Sequence, residues 1–180
     1  MTNKKDNPIY EHNTIEFVTI AVEYCSFLES ASSMDAVSFV DKSTKLLPIL
    51  YLKATLLPVV ELYGESAELE TYVTEDMYEA LRRRIAGLLG EHDSYLETFH
   101  PDMPFSDTPI AAFISENLSD VYQSLGDFCH VFRQGHEEAM REAMEAVSES
   151  FRLYWGMALL SALKALHAIR YEIENDYEDF

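Results

Sequence analysis

Apolar residues recur at three- and four-residue steps along nearly the whole chain, and no stretch alternates strictly as a half-buried strand does. That pattern admits helices packed on helices and little else. A first stripe runs through Phe17, Ile20, Ala21, Tyr24, Phe27, Leu28 and Ala31, with Asn13 or Thr14 as its cap. After Ser32 and Ser33, Asp35 suits the start of a second helix carrying Val37, Val40, Leu47, Leu50, Tyr51, Ala54 and Leu57. Pro48 lies inside it and removes a backbone donor, which predicts a kink or a break there. The acidic stretch 65–75 reads as an exposed loop. A third helix opens at Thr74, Glu75 and Asp76, carries Met77, Leu81, Ile85 and Leu88, and stops at Gly90.

A fourth helix is expected from Thr108 and Pro109 to Gly135, with Phe113, Ile114, Leu118, Val121, Leu125, Phe128, Cys129 and Phe132 on one side. The fifth begins near His136. Its stripe from Met140 through Trp155 to Ile173 spans roughly 50 Å at 1.5 Å per residue, which makes it the expected centre of the molecule. The fold class is therefore all-α: a single-domain bundle of about five main helices. A frayed polar leader is expected over 1–12, the bundle over 13–174 and an acidic, frayed tail over 175–180.

Composition agrees. A chain of 180 residues suits one domain, and 48% hydrophobic residues are enough to fill its core. Thirteen Lys and Arg stand against 32 Asp and Glu, a net charge of −19. Such an excess of acid excludes nucleic acid held through its phosphates and disfavours anionic membrane surfaces. The two longest apolar runs, 46–60 and 153–169, contain Pro48, Lys53 and Pro58 in one and Lys164 and His167 in the other, so neither reads as a span. Residues 1–10 lack the apolar stretch of a signal peptide, and cytoplasm is the expected compartment. Two distant cysteines, Cys25 and Cys129, are too few for a disulfide scaffold and read as reduced, largely buried thiols.

The longest stretch without periodicity is 91–109. It holds Tyr95, Leu96, Phe99, Met103 and Phe105 among three prolines, so it reads as a loop packed against the body, with any pocket beside it. Asp93 is expected to pin one end by accepting backbone N–H bonds. The candidate pocket takes in Asp93, Tyr95, Phe99, Asp120, Tyr122 and Trp155. The bland alternative for the Asp and Tyr residues is a set of hydrogen bonds that hold the loop in place. A glycine after Trp155, inside a helix, predicts a tight helix crossing there.

Phosphate-binding glycine loops, nucleophile elbows and HExxH pairs are absent from the sequence. Di-iron bundles use two Glu-x-x-His pairs. Here only Asp127-x-x-His130 approaches the pattern, and it makes these two residues weak metal candidates at most. No catalytic residue and no cofactor is assigned.

The motifs Asp93-x-Tyr95 with Phe99-x-Pro101, Asp120-x-Tyr122-Gln123, Trp155-Gly156 and Ala162-Leu163-x-Ala165-Leu166-His167 occur in that order. With Glu16-Phe17-Val18 and Glu23-Tyr24-Cys25, they resemble the bacterial helical family catalogued as domain of unknown function 5063. The resemblance covers nearly the whole chain and implies a bacterial, cytoplasmic, single-domain helical protein. It implies no activity. The leading functional expectation is a non-enzymatic binding or interaction module whose acidic surface meets a basic partner. The alternative is a small-molecule or metal-dependent enzyme with its pocket beside 91–109. The partner is then a protein or a small ligand, with assembly of copies of this chain left open.

Overall fold

The computed structural model of the chain describes residues 7–62, 69–97, 102–105 and 108–178, and side chains as far as Glu172. It is the expected all-α bundle. The main helices are α1 (His12–Glu29), α2 (Ala36–Thr55), α3 (Glu75–Leu89), α4 (Ile114–Gln134), α5 (Glu137–Ser150) and α6 (Gly156–Glu178). Two short antiparallel strands, β1 (Ser94–Glu97) and β2 (Ile110–Phe113), pair Ser94 with Phe113 and Glu97 with Ile110.

Local chemistry sets the caps of α2, α3 and α4 where the sequence places them, but not that of α1, which starts at His12 after Glu11, while Thr14, expected as its cap, lies inside it and donates to the Pro8 carbonyl at 2.7 Å. The Asp35 carboxylate accepts the Ser38 N–H at 2.9 Å, which pulls its pKa below the usual carboxylate range. The Thr74 hydroxyl accepts the Met77 N–H, and Gly135 closes α4 in the left-handed region at φ 76°.

Five further expectations need correction. First, α2 runs unbroken through Pro48, which sits on an exposed face. Water there can take the Thr44 carbonyl that an N–H at position 48 would otherwise bond. Second, the described part of the leader does not fray. Ile9 is buried, the Asn7 side chain accepts from Arg141 Nη2 at 2.6 Å, and the Tyr10 hydroxyl donates to Glu137. At the other end, α6 continues to Glu178, past residue 174.

Third, the segment before α4 is a strand pair with flanking 3₁₀ turns, and α4 starts at Ile114 because Ile110–Phe113 is spent on pairing with β1. Its apolar groups divide: Tyr95 packs on the core, while Leu96 and Phe105 stand in solvent. Phe99 and Pro101 lie outside the described residues. Fourth, α4 and not the last helix is the hub, touching α1, α3, α5 and α6, whereas α6 touches α2 and α4. Small residues on α4, among them the buried Ser115, Ser119 and Gly126, let neighbours approach on several sides.

Fifth, the last helical run is continuous from Glu137 but changes to a π-helical turn over Phe151–Trp155. This turn, and not a crossing with another helix, explains Gly156. A Cβ there would lie 2.5 Å from the Phe151 carbonyl oxygen and 3.0 Å from its ring. The wider turn brings that carbonyl to a place where only a hydrogen fits. Trp155, 1% exposed, packs on Phe17 and Phe151 and donates Nε1–H to the Val147 carbonyl at 3.0 Å.

Candidate functional site

The hub α4 has a concavity on each side. Toward α1, a cleft of about 330 Å³ is lined by Val22, Cys25, Tyr122, Gly126, Cys129 and His130, with Tyr72 closing it from above. Tyr72 arrives there because Asp127 accepts two backbone N–H groups, from Tyr72 and Val73, both at 2.7 Å. The segment before α3, read as a loop, is thus fastened to α4. Its Val73 is buried so close to Gly126 that a Cβ on the glycine would stand 2.6 Å from Val73 Cγ2. The Tyr72 ring lies flat on the His130 ring, with centroids 4.6 Å apart and planes 11° apart. His130 also meets Gln134 at 3.0 Å and Glu70 at 3.5 Å.

Two groups of this cleft, the Tyr122 phenol and the Cys25 thiol, are pushed toward their protonated forms. The Tyr122 hydroxyl donates to Glu29 at 2.8 Å, and burial together with that carboxylate pushes its pKa well up. The Cys129 thiol beside it, then burial, push the Cys25 thiol far above its ordinary value. A cysteine that attacks first, unaided, needs a shift in the opposite direction.

On the other side of α4, Asp120, Gln123 and Ser124 face Ser150, Leu153, Tyr154, Trp155 and Ala158 across a groove of about 630 Å³. Asp120 accepts the Tyr78 hydroxyl from α3 at 2.7 Å. Desolvation raises the Asp120 carboxyl pKa, and the Tyr78 bond partly offsets the rise. Next to this carboxylate the π-turn and the start of α6 present Leu153 (58% exposed), Tyr154 (72%) and Met157 (51%) to solvent.

At the strand pair, Asp93 is buried and its two carboxylate oxygens accept the Ser115 N–H and hydroxyl, each at 2.7 Å. Phe113, the residue before α4, has no capping side chain, so Asp93 serves the first turn of α4 from 22 residues away. Tyr95 bonds Asn117 and Glu97, and burial pushes its phenol up to about 12.

The six pocket candidates therefore do not form one site. Asp93 and Tyr95 fasten the strand pair to α4, Asp120 and Trp155 share the groove, Tyr122 lies in the α1 cleft, and Phe99 is outside the described residues. Asp127 and His130, the metal candidates, do not converge. Asp127 is occupied by backbone N–H groups, and among the described residues no three His, Cys, Asp or Glu side chains are arranged to hold a metal. Sequence reasoning missed the convergence of Cys25, Tyr72 and Cys129, and the exposure of Leu153 and Tyr154. The only signal for the first was that both cysteines lie on or beside apolar stripes.

Comparison with known proteins agrees with this architecture. The family model described as domain of unknown function (DUF5063) matches residues 8–172. The crystal structure of protein BF1032 from Bacteroides fragilis, a structural-genomics target, is 43% identical. The match covers 91% of this chain and 96% of that one with a TM-score of 0.81. No curated protein matches. Among the described residues no helix is long and apolar enough to cross a membrane.

Proposed function

The chain belongs to the DUF5063 family, and we propose that it is a protein-interaction module that docks a basic, apolar-faced segment in the groove between α4 and the π-turn. One observation carries this reading: Leu153 and Tyr154, both exposed, line the groove with the Asp120 carboxylate, and Met157, exposed as well, follows at the start of α6. Large apolar groups grouped on a surface mark contact sites, and the net charge of −19 draws in basic partners and repels acidic ones. An amphipathic helix with Leu or Ile on one face and Lys on its flanks meets both demands. The enzymatic alternative is less well supported, because Asp93 and Tyr95 fasten the strand pair, Asp120 lies in the groove and Tyr122 in the α1 cleft, so the candidates do not converge on one reacting centre.

Amide chemical-shift mapping tests the reading. A model helical peptide built of Leu and Lys should shift the Asp120, Leu153, Tyr154 and Met157 resonances. A Leu and Glu peptide should not. The shifts should weaken in Asp120→Asn and at high salt, where the Debye length falls to about 3 Å in 1 M salt. If neither peptide moves these resonances, or both do so equally, the groove is not a docking site for basic segments.

A further inference from the structure

We propose that Cys25 and Cys129 are a reactive pair which low-molecular-weight disulfides convert into an intramolecular disulfide, cross-linking α1 to α4 at the floor of the cleft. This inference does not rest on the groove and its partner. Both cysteines are free, both line the same cleft, and their thiols are neighbours across it. The pair is also asymmetric. Cys25 is buried, whereas Cys129 is half-buried in a cleft with room for a small reagent.

That asymmetry sets the order of events. The Cys129 thiolate attacks one sulfur of the small disulfide, whose S–S bond breaks as the mixed disulfide forms, and the released thiolate takes up a proton. Cys25 then gives its proton to solvent, and its sulfur attacks Cys129 Sγ and expels the second small thiol. Two protein thiols are oxidised and one small disulfide is reduced to two thiols. Until the first step, the neighbouring Cys129 sulfur helps to keep Cys25 protonated. The product ties together residues separated by roughly a hundred positions, a span over which a cross-link removes much of the freedom of the unfolded chain.

The whole native chain is incubated with hydroxyethyl disulfide, and its products are read by intact mass and by non-reducing peptide mapping. The wild type should lose two hydrogens, give a linked peptide joining Cys25 to Cys129, and melt roughly 10 °C higher until dithiothreitol is added. Cys25→Ala should stop at a stable mixed disulfide on Cys129. Cys129→Ser should stay unmodified while folded and react once unfolded in urea. A wild type that accumulates a stable adduct without the linked peptide, or that reacts only when unfolded, overturns the proposal. So does faster labelling of Cys25 than of Cys129.

Discussion

α2 carries a proline within its second half and does not break, whereas the run from Glu137 to Glu178 contains no proline and changes its winding at Phe151–Trp155. The difference lies in the surroundings. Pro48 faces water, so the bond it cannot donate is replaced at little expense. At the π-turn the irregularity is internal: Trp155 is buried against Phe17 and Phe151, and Gly156 leaves room for the Phe151 carbonyl. A helix is distorted where the core requires it, and a residue of low helix propensity on an open face need not distort it.

Four measurements would break or sharpen this contrast. The largest effect is expected at the buried ring: Trp155→Ala should cost about 3–5 kcal/mol in chemical denaturation, through the cavity it leaves and the loss of the Val147 bond. A near-wild-type transition would mean that the ring does not anchor the π-turn. Gly156→Ala should cost roughly 1–3 kcal/mol, although alanine favours ordinary helices, because its Cβ would meet the Phe151 carbonyl. A stabilised variant would show that the turn converts freely to α. Pro48→Ala works in the other direction and should stabilise by about 1 kcal/mol, since it restores a donor on an exposed face.

The smallest effect is a pH dependence. Asp41 accepts from Lys45 and pairs with Arg170 of α6 at 2.7 Å, and these cations hold its pKa below the ordinary value, Lys45 contributing most. A carboxyl depressed in the folded state adds stability that is present above its unfolded pKa and lost as pH falls through the folded one. The difference in Tm between wild type and Asp41→Asn should therefore shrink between neutral pH and pH about 3. A gap independent of pH would show that the pair does not help to hold α2 on α6.

What could be read from the sequence follows the same line. Asp35, Thr74 and Gly135 act on residues within a turn of themselves, so their roles were visible from spacing alone. Asp93 was legible as an acceptor of backbone N–H groups but not as the cap of α4, because its partner Ser115 lies across a strand pair. The two strands are four residues each and too short to show alternation. Tyr72 reached the cleft only through Asp127, 55 residues away, and Cys25 met Cys129 only through the packing of α1 on α4. Spacing along the chain carries no trace of such meetings. The groove was not legible: the expected pocket lay beside 91–109, none of the groove's lining residues comes from that segment, and the exposure of Leu153 and Tyr154 depends on a turn that Gly156 marks without specifying.

A π-turn closes its hydrogen bonds over five residues where an α-turn uses four. The winding at Phe151–Trp155 therefore takes up one residue more than the helix needs, while α5 before it and α6 after it each keep their buried face. In evolutionary terms it behaves as an absorbed single-residue insertion: the surplus accumulates at the surface as a bulge and leaves the phase of the core unchanged. A one-residue deletion at Tyr154 would let the helix close as ordinary α with Val147 and Leu159 still facing inward. The bundle would survive, and the apolar surface beside Asp120 would be the part that vanished.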